Sequence, residues 1–215
     1  MTPHPHIFIF VNGILSDPGA HNYWTDRAVT WVHTHTRHSA EKFEYAAGAL
    51  TRRLRQNLHA TALRSLLRSY YGDRIVHLVG HSNGCDIILR ALDSRDVPRI
   101  ATVHLIAAAC EADFTKNGLN NALLDAKLGQ AYVYVSGRDR AMKWAKLSKM
   151  LFGWAGLGYG TMGLTGPLNV DPALQDETRS QPAVVLIRED TYDHSTWFDR
   201  GYFGNTMRRI ITHHP

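Results

Sequence analysis

Arg74-Ile75-Val76-His77-Leu78-Val79 runs directly into Gly80-His81-Ser82-Asn83-Gly84, and a stretch of helical period from Cys85 to Leu92 follows. A short apolar run bounded by glycine predicts a buried strand, and the change of period after it predicts a helix. The GxSxG spacing sits at the junction, so the chain must reverse there within a few residues. A turn that tight crowds its flanks, which is why glycine is needed on both sides, and it holds the serine in a strained conformation with its hydroxyl presented above the sheet. The alternative, an ordinary Gly/Ser turn, needs neither the strand before it nor the helix after it.

Outward from this junction, short apolar runs recur from Ile7 to Val11, Lys42 to Tyr45, Ile100 to Ala107, Ala131 to Val135 and Ala183 to Ile187. Between several of them the apolar residues fall at helical spacing: about Tyr23 to Val32, Ala49 to Tyr70, Asp86 to Ser94, Ala141 to Leu151 and Trp197 to Ile211. Strand alternating with helix predicts a three-layer α/β/α sandwich around a mostly parallel six-stranded sheet, with ligands at the carboxyl ends of the strands. No internal repeat or linker divides the 215 residues, so residues 1–215 are expected to form one domain. From Phe152 to Asn169 the chain reads FGWAGLGYGTMGLTGPLN. So much glycine opposes a regular helix and so much apolar surface opposes simple solvation, which makes 152–169 a candidate lid or substrate wall, or else a packed irregular loop.

Composition excludes several classes. At 44% hydrophobic and 20% charged the chain is an ordinary globular protein. The apolar run after Pro3-His4-Pro5-His6 is too short for a secretory signal, and no stretch approaches a membrane span, so a cytoplasmic protein without a transmembrane segment is expected. Cys85 and Cys110, alone in the chain, read as buried thiols. The net charge of +5 is spread out; its densest group, Arg52, Arg53, Arg55, Arg64 and Arg68, alternates with leucines at helical spacing and reads as a solvated helix face, with no nucleic-acid partner expected.

A serine hydroxyl becomes a nucleophile only with a base to take its proton and a carboxylate to orient that base. Both follow in order. Asp139 lies after the strand ending at Val135, in Ser136-Gly137-Arg138-Asp139, and His194 lies after the strand ending at Ile187, in Tyr192-Asp193-His194-Ser195. Asp139 is also well placed to cap the helix expected from Ala141, a role compatible with the first. Asp113, after the preceding strand, is the rival acid, and His194 is one of 13 histidines.

The order Ser82, Asp139, His194, each beyond a successive strand, resembles the α/β-hydrolase superfamily over nearly the whole chain. The resemblance implies a compact version of that fold, starting at the strand of Ile7, and a catalytic triad of those three residues. It also implies an oxyanion hole built by the main-chain amides of Asn83 and of Ile14, with Gly13 the fallback because Asn12 stands where many members carry histidine. The chemistry implied is hydrolysis of a small-molecule carboxylic ester with no cofactor. A peptidase or acyltransferase using the same triad, or a non-catalytic binding module for a hydrophobic ligand or protein partner, is the alternative. Asn12, His81, Trp154, Tyr159 and Trp197 are the candidates for a substrate pocket; Trp24 and Trp144 are further large aromatics that would serve the core first. The run His33-Thr34-His35-Thr36-Arg37-His38 has HxHxxH spacing, but Arg37 stands where a metal site of that type carries an aspartate, so no metal is expected. Nothing in the sequence sets the oligomeric state.

Overall fold

The computed structural model describes residues 6–13, 24–45, 52–70, 74–94, 96–152, 160–175 and 182–212. Among them, six strands form one sheet: β1 (His6–Val11), β2 (Ser39–Phe43), β3 (Ile75–His81), β4 (Ile100–Ile106), β5 (Leu128–Val135) and β6 (Val184–Arg188). Their order is β2-β1-β3-β4-β5-β6 and every pairing is parallel. The helices are α1 (Trp24–His35), α2 (Arg52–Arg68), α3 (Asn83–Leu92), α4 (Leu119–Leu124), α5 (Arg140–Phe152), α6 (Met162–Thr165) and α7 (Phe203–Thr212).

Strand alternation explains the three layers. In β1, Ile7, Ile9 and Val11 enter one core with Leu63 and Leu67 of α2 and Ile87 and Ile88 of α3. Phe8 and Phe10, pointing the other way, enter a second core with Ala28 and Val32 of α1 and Met207 and Ile210 of α7. In α7 the buried Phe203, Thr206, Met207, Ile210 and Ile211 recur at the spacing of one helix face.

The strand order reverses at β1. The chain crosses from β1 to β2 on one side and returns to β3 on the other, which opens a crevice between the carboxyl ends of β1 and β3. Gly13 follows the first of these strands and Ser82 the second.

Three expectations are corrected. The edge strand is Ser39–Phe43, not Lys42 to Tyr45, because its outward residues are polar and hide the alternation. The helix after Ser82 begins at once with Asn83, not at Asp86. The last helix begins at Phe203; Trp197 lies in a short 3-10 turn, Thr196–Phe198, and is fully buried between Tyr134 and Tyr192. Trp197 is therefore core and not pocket.

Half of the glycine-rich stretch is also packed structure. Gly163 N donates to Ala108 O at 2.9 Å, Met162 N to Cys110 O at 3.3 Å and Leu168 N to Ala112 O at 2.8 Å. A Cβ on Gly163 would lie 2.4 Å from Ala108 N, so only glycine permits this approach. Residues 160–169 match the packed-loop alternative, and 153–159, with Trp154 and Tyr159, lie outside the described residues.

Candidate active site

The turn after β3 has the geometry its sequence demands. Ser82 takes φ 55° and ψ −121°, a region unfavourable for any residue with a Cβ. Three hydrogen bonds clamp it there: Ser82 N donates to Ile106 O at 3.0 Å, and Ser82 O accepts from Cys85 N at 3.2 Å and Ala109 N at 3.1 Å. The flanking glycines have steric reasons. A Cβ on Gly80 would lie 3.0 Å from Cys85 N, and one on Gly84 would lie 2.4 Å from Asn12 O and 2.5 Å from Val11 O. Gly84 thus lets α3 start directly against the end of β1. Gly13 comes equally close from the other side, since a Cβ there would stand 3.1 Å from the Ser82 Cβ.

Ser82 is 6% exposed and Asn83 is buried. The Asn83 side chain is gripped from two elements: its Oδ1 accepts from Gln56 of α2 at 3.3 Å, and its Nδ2 donates to the Tyr45 hydroxyl at 3.0 Å. As the first residue of α3, Asn83 carries a main-chain N–H that no earlier helical carbonyl can accept. Ile14, expected as the second amide donor, lies outside the described residues. Asn12 is buried, and among the described residues neither its Oδ1 nor its Nδ2 has a hydrogen-bond partner. A buried side-chain amide in that position, at the mouth of the crevice, suits a polar ligand.

The acid and base meet. His194 Nδ1 lies 2.8 Å from Asp139 Oδ2, with the Asp139 side chain fully buried and that of His194 22% exposed. A carboxylate only accepts, so Nδ1 carries the proton and Nε2 is left as the basic nitrogen. The other oxygen of Asp139 caps α5, accepting from Met142 N at 2.8 Å, so one carboxylate both holds His194 and caps the helix. Asp113 is engaged elsewhere: the Thr115 hydroxyl at 2.6 Å and the Thr115 main-chain N–H, with Asn169 and Lys116, hold its carboxyl down at about 2.

His81, offered as a pocket residue, instead braces the base loop. Its Nε2–H donates to the His194 carbonyl at 3.0 Å, the two rings lie 4.8 Å apart, and Trp24 and Phe198 meet it edge-on. Desolvation, then the neighbouring His194, push its imidazole down to about 3, so it stays neutral and a fixed donor.

Two supports escaped the sequence reading. Asp193 Oδ1 accepts from Arg140 N at 3.0 Å and from His194 N at 2.7 Å, and these two N–H groups lower its carboxyl below the usual range. The Ser136 hydroxyl donates to the Tyr192 carbonyl. Both residues tie the turn bearing Asp139 to the loop bearing His194. Their only signal is adjacency to the acid and the base. The thiols of Cys85 and Cys110 are buried and pushed well up by desolvation, so neither competes as nucleophile.

The histidine run resolves into separate local contacts. His33 Nε2 accepts from Ala40 N at 3.3 Å and His35 stacks on Trp31, while His38 packs against His6 and Phe8. Among the described residues no group of three or more His, Cys, Asp or Glu side chains is arranged to hold a metal.

The fold is shared with solved hydrolase structures. One, assigned to the alpha/beta superfamily of hydrolases and from Xanthomonas campestris, is 13% identical with a TM-score of 0.56, covering 96% of this chain and 96% of its own. The chain has the α/β-hydrolase fold. The esterase domain of a Rhodothermus marinus protein (12% identical, TM-score 0.55) covers 98% of this chain and 86% of its own. Acyl-protein thioesterase 2 of Zea mays (11%, TM-score 0.53) covers 97% and 94%. No family model matches the sequence, and no curated protein resembles it. In α/β-hydrolase terms Ser82 occupies the turn after the strand beside β1, and the Asp139–His194 pair lies beyond β5 and β6 at the same sheet edge. No helix among the described residues is long and apolar enough to cross a membrane.

Proposed function

We propose that the protein is a serine hydrolase that cleaves a small-molecule carboxylic ester through an acyl-enzyme on Ser82. The observation that carries this reading is the conjunction of a serine forced to φ 55° with a histidine whose tautomer is fixed by a fully buried carboxylate 2.8 Å away. A binding module has no use for either strained turn or ordered pair.

In this mechanism Ser82 Oγ attacks the ester carbonyl while His194 Nε2 takes its proton, and Asp139 stabilises the imidazolium that results. Negative charge gathering on the carbonyl oxygen is met by the Asn83 main-chain N–H. His194 then returns the proton to the departing alkoxide, and water, activated by the same nitrogen, releases the acid and frees Ser82. The esterase and thioesterase activities named for the structural neighbours support this substrate class. The two unbridged, buried thiols suit a reducing compartment such as the cytoplasm.

The test is p-nitrophenyl ester turnover over graded chain lengths, with fluorophosphonate labelling of the wild type, Ser82→Ala and His194→Ala. Loss of turnover by about ten-thousandfold in both variants, and loss of label in Ser82→Ala, is expected. A folded wild type that neither turns over nor labels overturns the proposal.

A further inference from the structure

We infer that the exposed face of α5 is a docking surface for an anionic lipid membrane, placed beside the mouth of the site. Trp144 is 71%, Met150 76% and Leu147 39% exposed, an unusual display of large apolar side chains on one helix. With Arg140 and Lys143 they occupy positions i, i+3, i+4, i+7 and i+10, which fall on a single face. The opposite face carries the buried Met142. Arg140, Lys143, Trp144 and Leu147 together line a shallow hollow of about 250 Å³ whose wall is apolar, the two basic residues contributing their aliphatic stems.

Charge decides the occupant. No Asp or Glu occurs between Arg140 and Val170. Among the described residues neither Lys143 nor Lys146 meets a carboxylate, and Arg140 reaches only Asp193, at 4.0 Å. Cations in the first turn oppose the helix dipole, so Arg140 and Lys143 stand where they weaken α5, and its first turn has no acidic residue to offset them. A cost of that kind is recovered where the face meets negative charge. A second copy of this chain docked isologously would set these cations against themselves. An anionic bilayer instead takes the basic residues at its headgroups and the tryptophan, leucine and methionine at the acyl boundary. Because α5 begins at the residue after Asp139, docking through it would bring the crevice to the lipid surface.

The experiment is co-sedimentation of the full chain with phosphatidylcholine vesicles and with vesicles containing about one-third phosphatidylglycerol. Binding to the second only, released by raised salt, is expected. The double variant Lys143→Glu/Lys146→Glu should bind about tenfold more weakly, and Trp144→Ala severalfold more weakly, with unchanged circular dichroism and unchanged turnover of a water-soluble ester. This readout does not need the hydrolytic reading: vesicle binding by an inactive protein supports the surface and refutes only the chemistry. Absent phosphatidylglycerol-dependent binding, or equal binding by both variants, overturns the inference. So does a wild-type dimer that Trp144→Ala converts to a monomer, or preferential capture by polyglutamate over vesicles, since each assigns the face to another occupant.

Discussion

Replacing Ser82 by glycine should make the protein more stable than replacing it by alanine, the reverse of what glycine does at ordinary positions. Both variants lack the hydroxyl, so the comparison isolates the Cβ. At φ 55° and ψ −121° that Cβ is crowded by the backbone, and conformations of this kind cost on the order of 1–3 kcal/mol. The three hydrogen bonds from Ile106, Cys85 and Ala109 prevent the chain from relaxing, so alanine keeps the strain in full. Glycine removes it but loses about 0.5–1 kcal/mol through the greater freedom of its unfolded chain. The balance favours Ser82→Gly over Ser82→Ala by about 1 kcal/mol, or about 2–4 °C in Tm for a chain of this size. Urea unfolding of the two variants, with slopes m held common, reads the difference directly. Equal midpoints, or a less stable glycine variant, would refute the claim that the turn stores strain, and with it the argument that the site is built to present a nucleophile.

His81 titrates near 3 when folded and near 6.5 when unfolded, so between those values the unfolded chain holds a proton that the native chain lacks, and stability falls as pH drops. Between pH 8 and pH 5 the wild type should lose about 2 kcal/mol more than His81→Gln, measured by denaturant unfolding at both pH values; equal losses contradict the assignment. Gly84→Ala should lower Tm by about 4–8 °C, because the added methyl meets two main-chain oxygens of β1's end, and an unchanged Tm would show that α3 can move away. Asp193→Ala should reduce kcat by about tenfold with little change in KM, whereas Asp193→Asn, which keeps the acceptor for the N–H groups of Arg140 and His194, should stay near wild type. Equal effects of the two Asp193 variants would mean that its charge matters and the tie does not.

The sheet was legible where burial is two-sided. β1, β3, β4 and β5 are near-continuous apolar runs because helices cover both their faces, whereas β2 at the edge keeps Glu41 and Lys42 outward and was misplaced by a few residues. The strained turn was legible because steric demand leaves a literal mark, glycine on both sides of Ser82. The pairing of Asp139 with His194 was expected from chain order, and the coordinates show that contact for Asp139 while Asp113 is held by Thr115. Nothing in the one-dimensional pattern marks a residue whose job is to join two loops, as Asp193 and Ser136 do. The pattern also hid a polar row inside the sheet: His6, His77, Thr102, His104 and Tyr134 are linked by contacts of 2.8–3.2 Å across β1, β3, β4 and β5. Each group finds its partner on the same or a neighbouring strand, and strand pairing is invisible before register is known.

The rim of the site explains the glycine at 163. Strand ends diverge as a sheet twists, so Ser82 after β3 and Asp139 and His194 after β5 and β6 need something to fix their separation. Main-chain hydrogen bonds provide it in sequence. Ala109 N reaches Ser82 O, Gly163 N reaches Ala108 O, Ser136 N reaches Gly163 O at 3.0 Å, and the Ser136 hydroxyl reaches Tyr192 two residues before His194. Ala107, at φ 45°, turns the end of β4 so that 108 and 109 can serve both neighbours. Every link is backbone or a short side chain, with little rotamer freedom to lose, and the α6 turn enters this chain only because Gly163 can approach Ala108 without a Cβ. The glycine-rich segment therefore acts, over its described half, as the strut between Ser82 and the loop of His194.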